Sequence, residues 1–379
     1  MMKLAKIIVG VLFLAVLASN ILAISRWNES RGVYDDVCYL RQAHLFQRFG
    51  LAGLATDISS DDDRYLAGKL RDIGFAQWNE PLKAPCHVAM EKTKKFVLQY
   101  PPGTGAVLAL FPAGFQVIPL YVVANLVALV FSLIAVFRAS SLASLTVSAI
   151  FGLAAIYLMI NPTKASYSMA PTMMVCALAG FLSARLFSSG ASRERLWLAM
   201  TVGFLIGLAA TFRLPNLFLA AGYCLFFLGA FLKAQSRQTF LEGVAFGIAL
   251  LIGIAPTLAA NWINAGSPFT TTYGGQDVAP PGIDLAVLRS YLVDLQFFLL
   301  LAAVGWTAAI WRWPGTQQAV LVVAANLAIN IIFFMTHPIF TPYYTVPVAM
   351  LSLWTLLFAS LASYQAAADN PAAARPESA

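Results

Sequence analysis

An all-α polytopic membrane protein is what this sequence encodes: 60% of its 379 residues are hydrophobic, only 11% are charged, and the apolar residues come in runs of about twenty. Soluble domains carry about a quarter charged residues, so a water-soluble globule is excluded. The charge that does occur is concentrated, with 21 of the 41 charged residues between Arg26 and Gly103. These features predict one integrated membrane domain, residues 1–363, of about ten spans with a single large extramembrane loop. The net charge of +7 follows from the lysine and arginine bias of cytoplasmic loops, and nucleic acid is discarded as a partner in favour of the lipid bilayer.

Lys3 and Lys6 precede the first apolar run, Ile7 to Ile24. That run is long enough to span and too long for a cleaved signal segment, so it is read as an uncleaved first span with a cytoplasmic N-terminus. The loop of residues 26–103 then lies on the far face. Within it, Val37, Leu40, Ala43, Phe46 and Phe49 recur at three-residue spacing, which predicts an amphipathic helix on the membrane surface with Asp35 or Asp36 at its N-cap. The acidic run Asp57 to Asp63 lacks the glycine and terminal glutamate of a calcium loop and reads as a solvated turn. Tyr100-Pro101-Pro102-Gly103 ends the loop in an extended segment.

Thr104 to Gln116 is expected as a short helix in the outer interface. Nine further spans follow, at 118–137, 142–160, 167–187, 196–212, 214–232, 240–262, 288–311, 319–335 and 343–363. The short loops this topology places in the cytoplasm hold Arg138, Arg185, Arg193, Arg195, Lys233, Arg237 and Arg312. The short outer connections hold only Lys164, Arg213 and Arg289, so the charge bias agrees with both termini inside. Residues 364–379, rich in alanine and proline, read as a disordered cytoplasmic tail.

Cys176 and Cys224 sit in apolar runs as small core residues, whereas Cys38 and Cys86 both lie in the large loop. On an oxidising face the latter two are a candidate disulfide worth about 3–4 kcal/mol by loop entropy; two free thiols are the alternative.

The polar residues that suggest chemistry are few. Asp35 and Asp36, about ten residues past the first span, offer carboxylates near headgroup depth, as a general base or as oxygen ligands for a divalent cation; helix capping is the plainer reading. Arg213 in Thr211-Phe212-Arg213-Leu214-Pro215-Asn216 has no acid near it in sequence, and an arginine at that depth is costly unless it binds an anion such as phosphate or snorkels to the surface. Lys92, Lys94 and Lys95 either attract an anionic phosphate or simply touch lipid headgroups. His337, in Thr336-His337-Pro338-Ile339-Phe340-Thr341-Pro342-Tyr343-Tyr344, is a phosphate or sugar ligand or an interface residue.

In this order, the acidic pair, Tyr-Pro-Pro-Gly, the Arg-x-Pro-Asn junction, the segment Asn261 to Gly274 with its Gly-Ser-Pro-Phe core, and the late His-Pro turn resemble the GT-C class of polyprenyl-phosphate-sugar-dependent glycosyltransferases. The chain is similar in style to bacterial protein mannosyltransferases, aminoarabinose transferases and rhizobial galacturonosyltransferases. The resemblance implies a GT-C-like bundle in a bacterial inner membrane, with a large periplasmic loop carrying interface helices and a periplasmic active site. It implies transfer of a sugar from a polyprenyl phosphate to a lipid, polysaccharide or protein acceptor. Asp35 or Asp36 would then be the base, and Arg213, His337, Lys92, Lys94 and Lys95 would hold the donor phosphate. Tyr34, Tyr100, Pro101, Tyr273, Tyr343 and Tyr344 would shape the substrate cleft, and Mg2+ or Mn2+ is a possible cofactor through the acidic pair. Departures are the lack of a soluble C-terminal domain and Tyr343-Tyr344 where an arginine before the tyrosine is more usual. The competing classes are a transporter or flippase of lipid-linked sugars and a non-catalytic membrane assembly protein. The first predicts interrupted helices and ionisable groups at mid-span.

Overall fold

The computed structural model describes residues 1–31, 34–158, 166–273, 280–341 and 343–369. Helix α1 (Met2–Ile24) leads into the large loop, which contains α2 (Tyr34–Phe49), α3 (Tyr65–Asp72), a two-stranded antiparallel hairpin of β1 (His87–Ala89) and β2 (Phe96–Leu98), and α4 (Gly103–Leu108). Then come α5 (Val117–Arg138), α6 (Leu142–Leu158), α7 (Met169–Ser188) and α8 (Ser192–Phe212). A 3-10 segment (Leu214–Ala220) runs into α9 (Ala221–Ala234), and α10 (Arg237–Ala265), α11 (Leu285–Leu292), α12 (Leu295–Ile310), α13 (Gln317–Thr336) and α14 (Val346–Asp369) complete the chain.

Each apolar segment marked in the sequence is helical among the described residues, and eight helices are long and apolar enough to cross a membrane. The architecture is that of a multi-pass helical membrane protein. One segment differs from a simple span: α11 and α12 meet at a 74° bend where one straight helix was expected. The bend has a local cause. Asp284 accepts from the amides of Ala286 and Val287, and Asp294 from that of Gln296, so two acidic N-caps start two helices. The interface helix expected to reach Gln116 stops at Leu108, ahead of Pro112 and the left-handed Gly114. At the other end α14 continues past Tyr364 to Asp369 through three alanines, the best helix formers; the rest of the expected tail lies outside the described residues, as do Lys164, Gly274 and Pro342.

Three contacts organise the bundle. The Lys6 ammonium donates to the carbonyl of Phe137 at 2.9 Å, which places the start of α1 beside the end of α5. Buried α14 supplies the centre, where Trp354 meets Phe131, Phe151 and Phe358 and its Cβ leaves no room for a side chain at Gly180. Helices α8 and α10 run side by side in the same direction: Arg195 grips Glu242 with two 3.0 Å bonds at their starts, and further along a Cβ at Gly203, Gly207 or Gly253 would collide with a backbone carbonyl of the facing helix. Lipid is as apolar as leucine, so such close backbone approach is what holds membrane helices together. Gly207→Leu should therefore lower the melting temperature of the detergent-solubilised protein, by overpacking worth about 1–3 kcal/mol. Gly229→Leu, whose side chain would enter open space, should melt as the wild type does.

Candidate functional site

The acidic pair opens α2. Tyr34 is already helical, so Asp35 and Asp36 sit within the first turn and neither is the N-cap expected from the sequence; there both carboxylates are favoured by the helix dipole. Nor does α2 lie on a surface, because its residues from Asp36 to Ala43 are all buried within the protein against α3, α4 and the turns between them. Consecutive helical residues point about 100° apart, and the two acids accordingly have different surroundings.

Asp36 is 1% exposed, and its Oδ1 accepts from the Tyr167 amide at 2.7 Å and the Ser166 hydroxyl at 3.1 Å. It fastens α2 to the start of α7. Asp35 is half-buried and faces tyrosines: Tyr100 donates to Oδ1 at 2.7 Å and Tyr343 to Oδ2 at 3.4 Å. Burial, and then the neighbouring Asp35 carboxylate, push the Tyr100 phenol far above its ordinary pKa, so it stays protonated and donates. Because the two carboxylates are turned to different partners, the pair does not fit the shared chelate considered for a divalent cation. Among the described residues no three histidine, cysteine or acidic side chains converge as metal ligands.

Tyr39, one turn after Asp35, packs against Tyr100 with ring centres 5.1 Å apart, and Tyr273 meets Tyr100 edge-on at 5.9 Å. Thr272 fixes the Tyr273 backbone by donating to the Gln99 carbonyl at 3.0 Å. Opposite stands Arg213, 7% exposed, in extended backbone between α8 and the 3-10 segment. Its guanidinium lies 4.4 Å from the ring centre of Tyr343 and 5.3 Å from that of Tyr344, and Nη1 touches the Met169 sulfur at 3.4 Å. Among the described residues no carboxylate lies within ion-pair distance of it. Removing a cation from water costs several kcal/mol, of which each cation–π contact returns about 2 kcal/mol.

Two devices hold these walls in register. Helix α4 is a wedge: at Gly103 a Cβ would strike Thr211 of α8, Thr104 donates to the Phe212 carbonyl at 3.2 Å, and at Gly105 a Cβ would strike Gln42 of α2. Gln296 of α12, wholly buried, clamps the turn bearing Tyr343 and Tyr344, donating to the Thr341 carbonyl at 3.0 Å and accepting from the amide and hydroxyl of Thr345. The backbone groups freed by the 3-10 break are met by α13, where Asn326 bonds the Gly222 amide and the Leu219 carbonyl and Asn330 bonds the Phe218 carbonyl.

The structure thus gathers Asp35, Tyr100, Tyr273, Tyr343, Tyr344 and Arg213, adds Tyr39, and sets buried Pro101 just ahead of α4. Tyr39 was legible only through its four-residue offset from Asp35. His337 is one layer out, 6.1 Å from the Tyr344 ring and stacked on Phe333. Tyr34 is exposed and turns to Phe75. The lysines are occupied otherwise: Lys92 and Lys95 donate to the carbonyls of Gly266 and Ile263 at the end of α10, where cations complement the helix dipole, and exposed Lys94 occupies a left-handed turn.

Cys38 and Cys86 are disulfide-bonded, tying α2 to the β1 edge of the hairpin. Beside the bridge, fully buried Arg41 donates to the carbonyls of Thr56 and Asp57 and to His87 Nε2 at 2.8 Å, while His87 Nδ1 donates to Pro85. Burial, reinforced by the Arg41 charge, pushes His87 down to about 3. The folded loop therefore holds His87 neutral. Its contribution to stability is complete above the ordinary histidine pKa of about 6.5 and is lost as pH falls from there toward 3, because the unfolded chain binds the proton first. Hydrogen exchange of the loop amides should accelerate as pH falls through this window, after correction for the intrinsic rate, and His87→Gln should flatten the dependence. Comparison with protein-family models, curated proteins and solved structures found no match for the chain.

Proposed function

We propose that the chain is a glycosyltransferase that moves a sugar from a polyprenyl phosphate to an acceptor hydroxyl, with the tyrosine cluster as its active site. The observation that carries this reading is the pairing of an ionisable carboxylate, Asp35, with a buried cation that has no carboxylate partner among the described residues, Arg213, at the two ends of one side chain, Tyr343. Inverting transfer needs that combination: a base for the acceptor proton and fixed positive charge for the departing phosphate. The aromatic lining adds flat apolar faces of the kind sugar rings stack on. Asp35 is the base in this reading, and Asp36 a structural anchor. The ten helical segments are taken as ten spans with cytoplasmic termini, which puts the cluster on the periplasmic face of a bacterial inner membrane, within reach of a lipid-linked donor. The acceptor is a lipid, glycan or protein carrying a free hydroxyl.

A transporter of lipid-linked sugars is the second reading, favoured by the helix breaks at Leu214–Ala220 and between α11 and α12. Transport leaves the sugar–phosphate bond intact, which separates the two. In proteoliposomes supplied with a panel of polyprenyl-phosphate sugars and with cell-envelope lipid and glycan extracts as acceptors, wild type should release polyprenyl phosphate. Asp35→Asn should lose at least about a hundredfold in rate without a change in melting temperature, and Arg213→Ala should lose donor affinity. Asp36→Asn, whose amide oxygen can still accept from Tyr167, should cost stability more than turnover. Donor movement without cleavage would support transport instead.

A further inference from the structure

The two hydrogen bonds on Asp35 are unequal. Oδ1 is held at 2.7 Å by Tyr100, whose phenol oxygen in turn accepts from Gln99 Nε2 at 3.2 Å, so this oxygen is committed. Among the described residues Oδ2 is met only by Tyr343, at 3.4 Å, a loose contact beyond the usual O–H···O range. The same Tyr343 ring underlies the Arg213 guanidinium at 4.4 Å. Its backbone is fixed by Gln296 through residues 341 and 345, so the ring has a firm base on either side.

We propose that Tyr343 is a positioning residue coupling the two halves of the transfer, its phenol orienting the Asp35 Oδ2 to which the acceptor hydroxyl gives its proton, and its ring aiming Arg213 at the donor phosphate. This rests on the glycosyl-transfer reading above. In the step itself the acceptor O–H proton passes to Asp35 Oδ2, and the acceptor oxygen bonds to the anomeric carbon. The carbon–oxygen bond to phosphate breaks with its electron pair going to the phosphate oxygen, and the lipid leaves as its phosphate monoester against Arg213. Tyr343 makes and breaks no covalent bond. As the acceptor arrives, its hydroxyl takes the second lone pair of Oδ2 beside the phenol, which stays to orient the carboxylate, while the ring stays under the guanidinium.

The two roles belong to different atoms and separate by substitution. Tyr343→Phe removes the hydroxyl and keeps the ring; Tyr343→Ala removes both. Binding of undecaprenyl phosphate to the purified chain reads the cation side, and steady-state transfer from the donor that wild type consumes reads the acid side. Tyr343→Phe should bind undecaprenyl phosphate within about twofold of wild type, yet lose about tenfold in kcat, the worth of one hydrogen bond to a charged group. Tyr343→Ala should show that loss and bind undecaprenyl phosphate roughly tenfold more weakly. Matched melting temperatures exclude unfolding as the source. If wild type transfers sugar and Tyr343→Phe equals it, or if Phe and Ala lose phosphate binding alike, the coupling is overturned and the transfer reading stands. If wild type cleaves no donor, the transfer reading falls and the coupling with it.

Discussion

The structure turns on a buried arginine that has no acid as a partner among the described residues. Arg213 is almost out of contact with solvent, and its described neighbours are two tyrosine rings and a thioether. Those soften the cost of burial without neutralising the charge. Elsewhere in the protein buried ions are matched: Glu242 by Arg195, Glu29 by Lys69 at 2.6 Å, and Arg41 by backbone carbonyls. Against that pattern Arg213 stands out, and in the proposed reading it is where the donor phosphate sits.

Much of the surrounding architecture serves to keep that cation opposite Asp35. The acid comes from the first helix of the loop and the arginine from the end of a helix far along the chain, and the wedge of α4 fits between them only because Gly103 and Gly105 have no side chains. The loop itself is made rigid from within. Its disulfide, the Arg41 network and the Asn264 amide, which bonds both the Thr56 amide and the Leu54 carbonyl, lock it to α10. The acidic run that follows α2 borders its outer face, where Asp62 and Asp63 pair with Arg48 and Asp63 hydrogen-bonds His44. In the proposed reading, groups held this firmly are fixed before any ligand arrives, which is the condition for electrostatic stabilisation of a developing charge.

Composition and apolar runs were enough to mark every membrane-sized helix, because hydrocarbon leaves the backbone no other way to satisfy its own groups. What they could not mark was how a long apolar run is punctuated. The cap at Asp294 lies inside a run read as one span, and the 3-10 break after Arg213 depends on asparagines of α13, which is more than a hundred residues away in sequence. At the site, Asp35, Arg213 and four tyrosines stood out as residue types at the right depth. Their division of labour did not: adjacent identical acids are distinguished only by which partners fold against them, here Tyr167 for one and Tyr100 for the other. The partners of Lys92 and Lys95 were hidden for the same reason, since the carbonyls of Gly266 and Ile263 come from a distant helix end.

The most direct test of this account is a map of the protein with undecaprenyl phosphate bound. The account predicts the phosphate at hydrogen-bonding distance from the Arg213 guanidinium, on the side of the tyrosine cluster that faces Asp35, with its chain leading out to lipid. A phosphate seated instead on Lys92, Lys94 and Lys95, or anywhere that leaves Arg213 without an anion, would contradict it.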